Sequence, residues 1–307
     1  MLNFEFYGKT LIVILGPTAT GKTQAAIDLA EKLNTEILSA DSRQIYKELK
    51  IGSACPSPDQ LARVKHHLIG RISVPEEYNA ARFESDALKI IDKIFRKQDY
   101  VVMVGGSGLY IDALCKGIDE LPDPDPALRK RLNEQLRIHG LGSLQQKLLE
   151  LDRVYYEKVD LKNPKRVIRA LEVCLMAGKP YSGMRKNKPK KREFRIEKFG
   201  LEIPKETLNE RINGRVDSMM EQGLLEEARS LLPFRNANAL NTVGYKELFE
   251  YFDGKVTREG AIDNIKTDTR RYAKRQMTWF KKDHEITWLK SWLDIPYLQD
   301  TFFKKVL

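Results

Sequence analysis

Eight residues constrain this chain more than any others. Gly16-Pro17-Thr18-Ala19-Thr20-Gly21-Lys22-Thr23 spells a phosphate-binding loop, G-x-x-x-x-G-K-[ST]. The run Thr10-Leu11-Ile12-Val13-Ile14-Leu15 before it is apolar and β-branched, which predicts a buried parallel strand. After it, Ala26, Leu29, Ala30 and Leu33 recur on one face and predict a helix over 22–33. Strand, glycine loop and helix together aim backbone N–H groups and a helix N-terminus at a polyphosphate. Lys22 adds a point charge, and the Thr23 hydroxyl is the expected ligand of Mg²⁺. The pattern says that a di- or triphosphate is bound. It leaves open whether that phosphate belongs to a nucleotide.

The same alternation continues. A strand is predicted over 35–40, ending at Asp41, and a helix over 83–97. Strand Tyr100-Val101-Val102-Met103-Val104 runs into Gly105-Gly106-Ser107-Gly108. These units predict an α/β fold, a P-loop parallel-sheet core with helices on both faces. Ligands of such sheets bind beyond the carboxyl ends of the strands. The phosphate loop, Asp41 and Gly105–Gly108 should therefore meet in one cleft. Residues 50–80 read as irregular and proline-punctuated. Three prolines in Leu121-Pro122-Asp123-Pro124-Asp125-Pro126 then break the pattern. Helical periodicity covers 126–178, and a basic stretch follows at 184–192. Residues 117–193 are thus expected as a helical insertion domain on a core of 1–116 and 194–307. The core resumes with a strand at 194–203, helices at 205–232, 242–252 and 258–282, and a strand at 287–289.

Charge narrows the choice of partner. The formal net charge is +10, which points to a polyanion. One basic cluster spans Arg185 to Arg195. Another holds Arg270, Arg271, Lys274, Arg275, Lys281 and Lys282, interleaved with Tyr272, Trp279 and Phe280. Flat rings among arginines can stack on bases. No apolar run reaches the roughly 18 residues of a membrane span. Met1-Leu2-Asn3-Phe4-Glu5-Phe6 lacks the basic region of a signal peptide, so the cytoplasm is the expected location. Cys55, Cys115 and Cys174 are too scattered for a zinc pattern and read as buried thiols. His66 and His67 are adjacent and so point apart, which disfavours two ligands to one metal.

Asp41 sits at a strand end beside the phosphate site. It reads as a magnesium ligand, as a general base, or as a capping aspartate of the loop. A second feature is an absence. NTP-hydrolysing members of this fold usually carry another apolar strand that ends in Asp or Glu. Here strand 100–104 ends in Gly105-Gly106. That favours a transferase: a small-molecule kinase using ATP, or an enzyme whose leaving group is diphosphate.

Further segments carry a resemblance. They are Asp41-Ser42-Arg43-Gln44-Ile45-Tyr46, His66-His67-Leu68, Tyr78-Asn79-Ala80-Ala81-Arg82-Phe83 and Val104-Gly105-Gly106-Ser107-Gly108-Leu109-Tyr110. Asn163-Pro164-Lys165-Arg166, Arg169-Ala170-Leu171-Glu172-Val173, Val243-Gly244-Tyr245-Lys246-Glu247 and the run Thr269–Phe280 follow. In this order and spacing, with the phosphate loop, the chain resembles the tRNA dimethylallyltransferases. Those isopentenyl transferases modify the adenosine next to the anticodon. Ser107 stands where the family usually has Thr, a change that keeps the hydroxyl. The chain ends soon after Trp288, without the zinc-finger extension of eukaryotic members, which suggests the bacterial type.

The resemblance implies a reaction. Dimethylallyl diphosphate gives its five-carbon group to N6 of the adenosine 3′ to the anticodon, and diphosphate leaves. Asp41 would take the N6 proton. The loop residues Gly16–Thr23, with Mg²⁺ at Thr23, would hold the diphosphate. Arg211 and Arg215, four apart on one helix face, offer one arginine to it. The implied RNA path comprises Asp41, Ser42, Arg43, Gln44, Ser107, Arg129, Lys162, Asn163, Pro164, Lys165, Arg166, Gly244, Tyr245, Lys274, Arg275, Gln276 and Trp279. The implied partner is a tRNA anticodon stem-loop, and the enzyme is expected to be a monomer. The alternative remains a P-loop kinase that uses Asp41 as base toward a small hydroxyl.

Overall fold

The structure is a computed structural model and describes residues 8–186 and 188–292. The N-terminal stretch read for targeting lies outside the described residues. The chain divides into two compact units, 1–115 with 191–307, and 116–190.

The larger unit begins with strand β1 (Thr10–Leu15), the phosphate loop and helix α1 (Lys22–Lys32). Strand β2 (Ile37–Ser39), helix α2 (Pro58–Arg63), strand β3 (His66–His67) and helix α3 (Ala80–Phe95) come next. Strand β4 (Tyr100–Gly105) leads into helix α4 (Gly108–Lys116). The sheet order is β3-β2-β4-β1, extended by two later strands, β5 (Arg195–Leu201) and β6 (Ile286–Leu289). Every pairing is parallel. Strand β1 is central, between β4 and β5. Its Leu11, Val13, Ile14 and Leu15 are buried, as a strand covered on both faces requires. Ala26, Ile27, Leu29 and Ala30 of α1 pack on Ile14, Val102, Val104 and Phe199.

Register places the site. Leu15 is level with Gly105 on one side and Gly200 on the other, and Ser39 is level with Val104. The strands therefore finish along one line, and the segments after β1, β2 and β4 emerge together. Gly105 is where two of these segments touch. A Cβ there would stand 2.2 Å from the Ala40 carbonyl oxygen, a backbone atom that cannot turn aside. The same carbonyl accepts the Ser107 amide at 3.2 Å. Gly105→Ala is therefore expected to cost about 1–3 kcal/mol of stability through overpacking. Thermal unfolding checks this; an unchanged midpoint would show that the two segments are free to part.

The smaller unit, 116–190, is helical. Its first helix, α5 (Pro126–Leu151), is capped by Asp125, whose carboxylate accepts the Ala127 amide at 2.8 Å. Gly140, at φ 72°, breaks it into two. Short α6 (Arg153–Tyr156), α7 (Pro164–Ala177) and α8 (Tyr181–Met184) complete the unit. Its core joins Leu128, Leu132, Leu144 and Leu148 to Val167 and Leu171. Buried Asp152 ties it together, accepting from Tyr155 N, Ser182 N and Ser182 Oγ at 2.9, 2.6 and 2.7 Å.

After β5 the larger unit has α9 (Lys205–Glu221), α10 (Leu224–Ser230), α11 (Tyr245–Phe252) and α12 (Arg258–Phe280). The helix expected over 205–232 is thus two, parted at Gly223 with φ 100°. Within the stretch read as irregular, α2 forms because Ser57 and Gln60 make a reciprocal capping box. Strand β2 is shorter than expected. Thr35 turns away to bond Gln98 Oε1 at 2.9 Å, and Ala40 already belongs to the loop that carries Asp41. Among the described residues no helix is long and apolar enough to cross a membrane.

Candidate active site

The phosphate loop joins β1 to α1 without a side-chain cap. Gly21 is the N-cap residue of α1, at φ 83° and ψ 10°, a left-handed conformation that glycine adopts without strain. Having no side chain, it gives no hydrogen bond to the amides of the first turn. Those amides and the helix dipole favour an anion there. Thr20, almost fully buried, braces the loop from within, its hydroxyl donating to Pro17 O at 3.0 Å. The Lys22 ammonium folds back over the loop and donates to Pro17 O.

Helix α12 holds the loop from the other side. Gln276 is buried, and both ends of its amide are used. Its oxygen accepts the Thr18 amide at 3.1 Å, and its nitrogen donates to Gly106 O at 2.9 Å. One side chain thus links the loops that follow β1 and β4.

Asp41 is held by its own loop. Its Oδ1 accepts the Arg43 amide at 2.8 Å and, more weakly, the Gln44 amide at 3.4 Å. Ser107 Oγ accepts the neighbouring Ser42 amide at 2.9 Å. The Gln44 side chain accepts from Ser39 Oγ at 2.8 Å and donates to Ala54 O at 3.1 Å. One carboxylate oxygen of Asp41 is therefore tied down, which fixes the direction of the group.

These parts surround one cleft of about 500 Å³. Thr18, Lys22, Thr23, Asp41, Arg43, Gly106, Arg215, Tyr272 and Arg275 all line it. A second opening, about 770 Å³, shares Lys22, Thr23, Arg215 and Met219 with it. The two cavities thus lie against the same side chains at the phosphate loop. Burial pushes the Lys22 ammonium down to about 7; Arg215 adds to the effect and Asp41 opposes it. Burial also lowers Arg215, against the attraction of Asp41. Two cations crowded against one carboxylate make a site that gains from a bound polyanion.

Arg211 and Arg215 separate cleanly. Arg215 lines both openings, whereas Arg211 is exposed and lies outside both linings. Lys274, Arg275 and Trp279 are exposed along α12, with the Arg275 guanidinium 5.8 Å from the Tyr272 ring centre. Trp279 packs on Gly108, and its indole donates to Asp112 Oδ2 at 2.8 Å. Tyr245 is fully buried, so its side chain is spent inside the protein. Its hydroxyl donates to Glu227 Oε1 at 2.6 Å. Glu227 also accepts the amides of Lys50, Ile51 and Gly52 at 3.0, 2.8 and 2.9 Å, and so anchors the wall of the cleft at Gly52. Gly244 starts α11 and donates its amide to Glu247 Oε2 at 2.8 Å. Nothing in the local sequence singles out Glu227, and Glu247 stands out only as the last residue of the segment Val243–Glu247. Both act through donors that the fold brings to them: three amides and the Tyr245 hydroxyl at Glu227, and the Gly244 amide at Glu247.

In the helical unit, Lys162, Lys165 and Arg166 are exposed. Asn163 caps α7, with its Oδ1 accepting the Arg166 amide at 3.3 Å, and Pro164 begins the helix. Arg129 is engaged internally. Its Nε and Nη2 donate to the two carboxylate oxygens of fully buried Glu172 at 2.5 and 2.7 Å.

Sequence and structure comparisons place the chain among known proteins. The family described as IPP transferase matches residues 44–283. The chain belongs to the IPP transferase family. Its relatives include tRNA dimethylallyltransferase 2 of Parabacteroides distasonis, 51% identical over 91% of this chain and 93% of its own. Another, tRNA dimethylallyltransferase 1 of Bacteroides thetaiotaomicron, is 52% identical over 91% of each chain. The fold is similar to that of the full-length tRNA isopentenylpyrophosphate transferase of Bacillus halodurans. The TM-score is 0.69 and the identity 34%, with 97% of each chain covered. A eukaryotic dimethylallyltransferase acting on tRNA is also similar, with a TM-score of 0.76 and 27% identity, covering 92% of this chain and 74% of that one. The α/β P-loop architecture of this chain is therefore shared with these two transferases.

Proposed function

We propose that this IPP transferase moves a dimethylallyl group from dimethylallyl diphosphate to N6 of the adenosine 3′ to the anticodon in tRNA. The observation that carries this reading is one cleft with two chemistries. Lys22, Thr23 and Arg215 form an anion site, and Asp41 stands beside it at the end of the next strand. The names of the relatives support a prenyltransferase acting on tRNA and do not favour the kinase alternative.

The reaction needs help at both ends. The N6 lone pair is delocalised into the purine, which makes the amine a poor nucleophile. Asp41 accepts a hydrogen bond from N6 and takes its proton as the C1–N6 bond forms. The C1–O bond breaks, and its electron pair leaves with diphosphate. Lys22, Arg215 and the amides at the start of α1 stabilise that developing charge. The Thr23 hydroxyl, with diphosphate oxygens, offers the hard oxygen donors that suit Mg²⁺. Bound there, the ion would neutralise further charge on the leaving group. A stacked adenine hides N6, so the base must be splayed out of its loop, as single-stranded RNA permits. Exposed Lys274, Arg275 and Trp279 of α12 suit a path for that RNA, as do Lys162, Lys165 and Arg166 of the helical unit.

Lys22 makes diphosphate binding depend on pH. Its ammonium titrates near 7 in the free protein, and a bound polyanion must raise that value. Above pH 7 the free protein holds Lys22 neutral and the complex holds it charged, so binding takes up a proton. Binding should therefore take up protons above pH 7, and affinity should fall as pH rises there. Below pH 7 the lysine is charged in both states, and its contribution is flat. Titration calorimetry in buffers of different ionisation enthalpy checks the uptake; heats that do not depend on the buffer would contradict it.

The reading as a whole is tested by label. Carbon label from dimethylallyl diphosphate is expected to enter RNA. Label from the γ-phosphate of ATP entering a small acceptor would instead establish the kinase.

A further inference from the structure

Trp292 lies beyond the residues that the family description covers, and the chemistry above makes no use of it. It nevertheless touches the phosphate loop. Its indole N–H donates to the Thr20 carbonyl oxygen at 2.7 Å. Its ring passes close to Gly21, with Cδ1 and Nε1 both 3.7 Å from where a Cβ on that residue would lie. The ring is anchored as well. It packs against the core cluster of Ala26, Leu201 and Leu289, three residues after the end of β6.

Peptide geometry gives this contact a consequence. The Thr20 C=O and the Gly21 N–H belong to one planar trans peptide, so they point in opposite directions. A donor that holds the carbonyl on one side holds the amide toward the other. Gly21 has no Cβ and sits at φ 83°, so this peptide is among the easiest in the loop to turn over. A turned peptide would present a carbonyl dipole to the anion in place of an amide. The Gly21 amide has no hydrogen-bond partner among the described residues, and Gly21 lines the second opening beside Lys22 and Thr23.

We propose that Trp292 is a positioning residue for the phosphate loop. It fixes the Thr20–Gly21 peptide so that the Gly21 amide is presented to the diphosphate. The inference rests on the reading that this loop binds diphosphate.

The test uses Trp292→Phe, which keeps an aromatic ring and removes the N–H, and Trp292→His, which keeps a ring donor. The probe is inorganic pyrophosphate with Mg²⁺, titrated calorimetrically into the full chain. Loss of one hydrogen bond to the loop is expected to weaken pyrophosphate binding about three- to tenfold in the Phe variant. The KM for dimethylallyl diphosphate should rise by a similar factor, tRNA affinity should not change, and the His variant should recover part of the loss. A Phe variant that binds pyrophosphate like the wild type, with only its melting point lowered, would overturn the inference. Should the Phe variant fail to fold, proton exchange at the Trp292 indole in the wild-type protein decides. Slow exchange supports the bond to Thr20, and free exchange refutes it. A wild-type chain that does not bind pyrophosphate would count against the reading of the loop itself, which keeps the two failures distinct.

Discussion

Asp41→Asn is expected to slow transfer by roughly 10²–10⁴-fold, the usual contribution of a positioned base. The affinity for tRNA should stay near that of the wild type. The geometry makes this substitution informative. The Arg43 and Gln44 amides both reach Asp41 Oδ1, and an Asn side chain keeps an oxygen there to accept them. The loop is therefore retained, as is the Ser42 amide on Ser107. What disappears is the group that can take a proton. Single-turnover rates and filter binding of tRNA separate the two effects. Equal loss of rate and of RNA affinity would show that Asp41 holds the RNA and does not act on N6.

The second large effect is one of stability. Arg129→Ala is expected to cost the helical unit about 3–5 kcal/mol, because it strips a buried carboxylate of its main partner. Glu172 has no exposed surface, and Arg129 meets both of its oxygens. Arg169, with a nitrogen 3.5 Å from Glu172, remains and should hold the loss toward the lower end. Arg129→Lys should recover little, since an ammonium cannot make the paired contact of a guanidinium. Urea unfolding of the variant measures the cost. A variant as stable as the wild type that has lost tRNA affinity would show that Arg129 serves the RNA and not the fold of the helical unit.

The comparison with sequence reasoning has a physical pattern. The apolar run Thr10–Leu15, the loop and the Ala26/Leu29/Ala30 face were legible because each is encoded by neighbours in the chain. Their convergence with Asp41 and Gly105 was legible because parallel sheets collect such segments at one edge. Arg211 and Arg215 were not separable, since helical periodicity gives both the same face. Their distance from the cleft depends on where α9 crosses it, which periodicity does not encode. Tyr245 and Gln276 look like contact residues in sequence. The fold spends the Tyr245 hydroxyl on Glu227, and it spends the Gln276 amide on Thr18 and Gly106. Satisfaction of a polar group by partners distant in the chain is a property of packing, and no local spacing announces it. The same holds for Trp292, which meets Thr20 across most of the length of the chain. The short elements α2 and β3 have too few residues to show any detectable period in the sequence.

The central claim is that the loop holds the donor's diphosphate while the Asp41 side of the cleft receives an adenine N6. Incubation of the protein with dimethylallyl diphosphate and tRNA, followed by nucleoside mass spectrometry and mapping of the modified position, tests it most directly. The expected product is N6-dimethylallyladenosine, at the position 3′ to the anticodon and dependent on both substrates. A prenyl group at any other atom or position, or tRNA left unmodified while dimethylallyl diphosphate is hydrolysed, would contradict the account.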